Sequence, residues 1–106
     1  MKYVYPAVFT PVGEGYDVRV PDLPGCGTCG DDLADAMFMV EDAMSMWLWY
    51  TEEHGEQIPP ASAAPRCLPP QFVNLVRADT DEYRRQAAKR AFTKKLSFKL
   101  RKQAIA

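Results

Sequence analysis

VPDLPGCGTCG, residues Val20–Gly30, places two prolines and three glycines within eleven residues, so the backbone must turn sharply there. Asp31 and Asp32 follow as candidates for a helix N-cap, where a carboxylate accepts hydrogen bonds from unpaired backbone amides. Apolar residues then recur at helical spacing as far as His54, and Gly55 supplies a helix stop. The segment therefore predicts a stiff turn that opens into one long helix.

Strands are predicted before and within this turn. Residues Lys2–Thr10 alternate in a strand-like way, and Tyr16–Val20 carries one polar face. Pro11–Gly15 has the residues of a hairpin turn between them. Pro6 lacks a backbone donor, which favours a sheet edge or a bulge. Residues Cys26–Gly30 predict a brief third strand.

The predicted helix carries more apolar surface than one sheet can cover. A stripe able to lie on the sheet contains Leu33, Ala36, Met37, Val40, Ala43, Met44, Trp47 and Tyr50. Four further large side chains fall largely outside it: Phe38, Met39, Met46 and Trp49. Such a surplus is typical either of ordinary core packing or of a partner or dimer interface. We expect Val40 and Trp47 to be buried against the sheet.

After the helix the pattern changes twice. Residues 58–65 form a proline-rich connection that is extended, and Gln71–Arg77 predicts a strand that returns to the sheet. A basic helix over Asp81–Ala91 and a strand-like stretch, Phe92–Lys99, follow. The sequence thus predicts an α+β fold of order β-β-β-α-β, in which an antiparallel sheet packs on one long helix, with a short basic C-terminal helix and strand.

Length and composition indicate one small domain. The chain has 106 residues, of which 47% are hydrophobic and 25% charged, as in an ordinary globular protein. No apolar run approaches the ~20 residues of a membrane span. The three cysteines are an odd number, which argues against a secreted disulfide framework and favours a cytoplasmic protein.

The near-neutral net charge conceals two opposite halves. Residues 1–65 hold eleven acidic and two basic residues, whereas residues 66–106 hold eleven basic and three acidic ones. This asymmetry indicates two partners of opposite charge, or a tail that folds back on its own domain. A solvated acidic face beside a solvated basic helix is the simpler alternative.

An ordered set of short motifs resembles the N-terminal domain of the HicB antitoxins. The set comprises Tyr5-Pro6-Ala7, Gly15-Tyr16, Val20–Cys26, Gly30-Asp31, Ala36, Ile58-Pro59-Pro60, the strand at Val73–Val76 and the segment Asp79–Arg84. The resemblance implies a partial RNase H-like fold that binds and silences a HicA-type mRNA interferase. Members of this family usually add a C-terminal DNA-binding domain that represses their own operon.

The resemblance divides the chain into a toxin-binding domain, residues 1–78, and a basic C-terminal segment, residues 79–106. A ribonuclease must present positive charge to RNA phosphates, so an acidic domain can occupy the same surface. Carboxylates cluster in sequence near the strand-to-helix turn, although they could equally be plain surface charge. The candidate toxin-binding residues are Tyr16, Asp17, Asp22, Asp31, Asp32 and Asp35.

The C-terminus departs from the family pattern. Lys94–Phe98 lies where ribbon-helix-helix members carry the strand that reads DNA, and the candidate DNA-binding residues are Lys94, Lys95, Ser97 and Lys99. Two helices should follow, but only residues 100–106 remain, so we expect a truncated or lost repressor domain. A solvated basic tail is the alternative. A homodimer or homotetramer is expected, with the candidate interface Phe38, Met39, Met46, Trp49, Leu96 and Phe98.

Catalytic and metal-binding alternatives are weaker. Cys26 and Cys29 precede a helix N-terminus, where a thiol pKa can fall, but no βαβ pattern supports a redox motif. Adding His54 and Cys67 gives spacings unlike those of common zinc sites. We therefore expect no enzyme, no cofactor and no metal. The remaining alternatives are a nucleic-acid-binding regulator that uses the basic segment, or a non-catalytic interaction module.

Overall fold

A computed structural model describes residues 1–91 as a four-stranded antiparallel sheet with one long helix on one face. The elements are β1 (Lys2–Val12), β2 (Gly15–Arg19), β3 (Gly27–Gly30), α1 (Leu33–Glu53), β4 (Phe72–Asp79) and a second helix, α2, over residues 80–91. The predicted α+β class and the order β-β-β-α-β are confirmed. The strand predicted at Phe92–Lys99 lies outside the described residues.

The strands are ordered β3-β2-β1-β4 in the sheet. The β1–β2 hairpin turns at Gly13, whose φ of 59° is a left-handed conformation that glycine adopts without strain. β1 pairs with β4 along Lys2–Phe9, but its pairing with β2 begins only at Val8. Pro6 therefore lies in the part of β1 that has one strand neighbour, which explains how this residue without an N–H donor is accommodated.

The core lies between one face of the sheet and α1. Alternate residues of the strands point to this face, among them Tyr5, Ala7, Phe9, Val18 and Val76, and all are buried. The ring of Phe9 stacks on that of Phe72, with centroids 5.1 Å apart. This single apolar layer joins all the long elements of the domain.

The buried face of α1 is narrower than the predicted stripe. Its fully buried residues form an i, i+4 row from Ala36 through Val40 to Leu48. Leu48 was missed by the sequence pattern, whereas Leu33 and Tyr50 were wrongly assigned to the buried stripe and are 43% and 52% exposed. The helix is rotated on the sheet so that its two flanks stay open to solvent.

Trp47 lies at the edge of this row and is half-buried against the core, so its predicted burial is confirmed only in part. Its indole N–H donates a hydrogen bond to the carbonyl of Pro24, at 3.1 Å. A ring with one apolar side and one polar tip is suited to such a boundary position. Trp47 thus attaches the turn between β2 and β3 to the middle of α1.

The predicted ends of α1 are confirmed. Asp32 is the N-cap, and its side chain accepts a hydrogen bond from the Asp35 amide at 2.7 Å. His54 is the C-cap, and Gly55 follows with a φ of 64°. The amide of Gly55 donates to the carbonyl of Glu52, which helps to satisfy the last turn of the helix.

Glycines allow the start of α1 to approach the sheet closely. A β-carbon at Gly30 would lie 2.3 Å from the backbone nitrogen of Ala36, and one at Gly15 would lie 2.4 Å from the carbonyl oxygen of Gly30. Both distances are far below van der Waals contact. Neither position can carry a side chain unless the backbone moves.

A polar network fixes α2 to the rest of the domain. The Glu52 carboxylate accepts hydrogen bonds from the hydroxyls of Tyr3, at 2.6 Å, and Thr80, at 3.1 Å. Burial, followed by the contact with Glu52, raises the pKa of Tyr3 to about 12. Arg84 of α2 donates two hydrogen bonds to Glu53. Because Thr80 is fully buried and its hydroxyl is bonded to Glu52, the start of α2 is anchored to the rest of the domain.

We predict that Leu48→Ala lowers the free energy of unfolding by about 2–5 kcal/mol, because it removes a fully buried side chain and leaves a cavity. Leu68→Ala is the matched control, since Leu68 is 80% exposed and its loss should cost about 0.5 kcal/mol or less. Urea unfolding measures both. Equal effects of the two substitutions would contradict the packing described here.

Candidate functional site

Three of the six candidate residues lie together at one end of the sheet. Tyr16, Asp17 and Asp31 line an open cleft with Glu14, and we call it the β2–β3 cleft. Asp17 is exposed because its neighbour Val18 points into the core, and alternation along β2 turns the carboxylate to the opposite face. The cleft thus brings three carboxylates together from the hairpin turn, β2 and the start of α1.

The other three candidate residues hold the chain's own backbone. Asp22 accepts hydrogen bonds from the amide of Ser62, at 3.0 Å, and from its hydroxyl, at 2.7 Å. Asp32 caps α1, and Asp35 accepts from the amide of Asp31 at 2.8 Å. These carboxylates attach the proline-rich connection to the turn and close the first turn of α1. That these three carboxylates also bind a partner directly remains a prediction.

The β2–β3 cleft is suited to attracting a positively charged group. Asp17, Asp31 and Glu14 are exposed, so each carboxylate is reachable from solvent. Charges of this kind act chiefly on the rate of encounter with a partner of opposite sign. Within residues 1–91, no three histidine, cysteine or acidic side chains converge in a way that could hold a metal ion. In the same range, neither helix is both long and apolar enough to span a bilayer.

The turn between β2 and β3 is held by its own backbone. The amide of Leu23 donates to the carbonyl of Val20, and the amide of Cys26 donates to that of Leu23. Leu23 is fully buried, and Gly25 adopts a φ of 79° that only glycine tolerates well. Pro21 and Pro24 restrict the backbone, and the buried Leu23 anchors it, so the turn has a single defined conformation.

The cysteines of this region do not form a redox pair. Cys26 and Cys29 are both free thiols, one buried and the other exposed. Burial raises the pKa of the Cys26 thiol to about 11, which is the opposite of what a reactive thiolate needs. The redox alternative for this motif is therefore disfavoured.

The candidate interface residues of α1 separate into two groups. Phe38, Met39 and Met46 are exposed, as an interface would require. Trp49 is instead half-buried against Tyr83 of α2, with ring centroids 5.5 Å apart. Its apolar surface thus has a partner within the chain that sequence spacing could not reveal. The candidates Leu96 and Phe98, and the DNA-binding candidates Lys94, Lys95, Ser97 and Lys99, lie outside the described residues.

Exposed apolar residues on the second face of the sheet were missed at the sequence level. Val4, Val12 and Leu75 are each at least half exposed on the face away from α1. The alternation that identified the core-facing residues of β1 and β4 also places these three on the opposite side.

A family model for the HicB-like antitoxin of bacterial toxin–antitoxin systems matches residues 5–91. The chain belongs to this family. An uncharacterised 14.9 kDa protein of Haemophilus phage HP1 is 39% identical over 56 residues, which cover 53% of this chain but only 42% of the phage protein. A UPF0150 protein of Thermoplasma acidophilum is 35% identical over 60 residues, covering 56% of this chain and 84% of that protein.

Solved structures of HicB antitoxins share the fold. The N-terminal domain of HicB from Burkholderia pseudomallei is 25% identical, with a TM-score of 0.57 over 70% of this chain and 95% of that domain. A chain of a toxin–antitoxin complex from Streptococcus pneumoniae is 21% identical, with a TM-score of 0.69 over 78% of this chain and 73% of its own length. A chain from a complex of HicA3 and HicB3 is 24% identical, with a TM-score of 0.59. The match covers 73% of this chain and 99% of that one. The membership of the HicB antitoxin family expected from the motifs is thus confirmed.

We predict that the cysteines differ sharply in reactivity. Iodoacetamide at pH 8 should modify Cys29 well before Cys26, because Cys26 is buried and its thiol stays protonated below a pKa of about 11. Peptide mass spectrometry over time measures both rates in one sample. Unfolding in urea is the control and should make the two rates similar. Faster labelling of Cys26 in the folded chain would contradict the structure.

Proposed function

We propose that this antitoxin binds a HicA-type mRNA interferase and neutralises it by occupying the surface that the toxin needs for RNA. The match of residues 5–91 to the antitoxin family carries this proposal. Two of the similar structures are complexes of a toxin with an antitoxin, which supports the same class of partner. The activity is one of binding, with no chemical step by this chain.

The charge of the domain explains how the partner is attracted. RNA-binding nucleases present lysine and arginine to phosphates, and residues 1–65 of this chain have a net charge of −9. Asp17 and Asp31 in the β2–β3 cleft supply exposed carboxylates on a rigid frame. The affinity then depends on a few anchoring contacts, for which the adjoining ring of Tyr16 is our candidate.

Regulation through nucleic acid is the second candidate function. Arg85, Lys89 and Arg90 are exposed on α2, and the basic residues of segment 92–106 follow them. Repression of its own operon would need two copies, and exposed Phe38 and Met46 are candidates for that interface. We place this function second because the family match ends at residue 91.

We predict that Asp17→Asn and Asp31→Asn each slow association with a cognate basic mRNA interferase and weaken binding about tenfold, or ~1.4 kcal/mol. Glu56→Gln, an exposed change beyond the end of α1, is the matched control and should have little effect. Stopped-flow binding at several salt concentrations measures the rates, which should also fall as salt rises. Unchanged binding in both aspartate variants would remove the cleft from the toxin interface.

A second comparison separates the two functions. The full chain is used because β4 ends only at Asp79 and Thr80 is fully buried, so a chain cut at residue 78 loses part of the fold. Replacing Lys89, Arg90, Lys94, Lys95 and Lys99 with glutamine should leave inhibition of RNA cleavage nearly intact. Loss of operator-DNA binding with inhibition retained would support the nucleic-acid function for these residues. Loss of inhibition with an unchanged melting temperature would contradict toxin binding by the acidic domain alone.

A further inference from the structure

A groove lies between α1 and α2, with the end of β4 as its floor, and its volume is about 190 Å³. Glu41 and Asp42 form part of its α1 wall, and Glu82 and Arg90 form part of its α2 wall. We call it the interhelical groove. The Glu52–Thr80 and Glu53–Arg84 contacts hold α2 beside α1 and so form this groove.

Acidic groups line this groove and are open to a partner. Neither Glu41 nor Asp42 takes part in a salt bridge within residues 1–91. Asp79 also lines the groove, but its carboxylate already accepts hydrogen bonds from the amides of Asp81 and Glu82 in the first turn of α2. An aromatic surface adjoins the acids, since Phe38 is 68% exposed at the rim. Four carboxylates and two guanidinium groups, those of Arg77 and Arg90, line the groove, so its net charge is negative. The groove therefore fits a basic segment that also carries apolar side chains.

The chain itself contains such a segment directly after α2. Residues 92–106 hold five basic and no acidic residues, and Phe92, Leu96 and Phe98 alternate with polar ones. Arg90, near the start of this segment, lines the groove. Fifteen residues can span roughly 50 Å, whereas α2 is only about 18 Å long, so the segment can reverse and reach Glu41.

We propose that residues 92–106 bind in the interhelical groove of their own chain, with lysines facing Glu41, Asp42 and Glu82. Charge complementarity and the short connection favour this occupant over a more distant one. The contact would neutralise one acidic surface of the domain. The β2–β3 cleft, with Asp17 and Asp31, would then be left as the acidic surface open to a basic partner.

The proposal is tested by zero-length cross-linking of the full chain. A carbodiimide joins a carboxylate to a lysine amine as an amide, with loss of water, only where the two groups touch. We expect Lys94, Lys95 or Lys99 to be joined to Glu41 or Asp42, as identified by peptide mass spectrometry. An equal mixture of ¹⁴N- and ¹⁵N-labelled protein shows whether each linked pair comes from one chain.

Matched variants make the result specific. Glu41→Gln combined with Asp42→Asn should abolish the links to these two positions and reduce links overall, while Glu14→Gln combined with Asp17→Asn should leave them unchanged. Circular dichroism melting checks that both variants stay folded.

Three outcomes would overturn the proposal. Links of mixed isotope composition would assign the groove to a second copy of the chain. Links only to Glu14 or Asp17 would place the segment in the β2–β3 cleft, and no links at all would show that it does not dock. Because no toxin is present in this experiment, its failure says nothing against toxin binding.

Discussion

The close contact between the end of β3 and the first turn of α1 is the constraint on which the rest of the structure depends. A β-carbon at Gly30 would lie within 2.9 Å of three atoms of Ala36, two of them in the backbone. Side chains at either position larger than those present would push the helix off the sheet. With these small residues, α1 lies low enough for Val40 and Leu48 to be fully buried.

The same contact builds the acidic end of the domain. Asp31 and Asp32 follow Gly30 directly, so fixing Gly30 against α1 also fixes where these carboxylates lie. Asp32 is used to cap the helix, whereas Asp31 faces the β2–β3 cleft beside Asp17. The stability of the fold and the shape of the proposed toxin-binding surface therefore have a common physical origin.

Local chemistry in the sequence predicted most of the elements. Alternation identified the strands, and Asp32 and Gly55 marked the ends of α1, because capping and left-handed turns depend on neighbouring residues alone. The motif around the PDLPGC turn identified the family. The rotation of α1 was not predictable in this way, because it depends on which of its side chains pack against core residues from distant strands. Because of that rotation, Leu48 is buried and Tyr50 is exposed.

The roles of individual site residues were also beyond local patterns. The partner of Asp22 is Ser62, forty residues away, and that of Trp49 is Tyr83 in α2. A sequence shows the carboxylate and the ring but not the long-range partner that engages them. The cluster of candidate aspartates therefore separates, on folding, into those that hold the backbone and those that line the cleft.

The unfolding free energy of Gly30→Ala tests the central contact most directly. Gly27→Ala is the control, because its β-carbon would lie 3.2 Å from the nearest atom, and it corrects for the general effect of replacing glycine in a strand. The account predicts that Gly30→Ala costs about 3 kcal/mol or more, at the upper end of the range for overpacked positions, and Gly27→Ala much less. Equal unfolding midpoints for Gly30→Ala and the unaltered chain would contradict it.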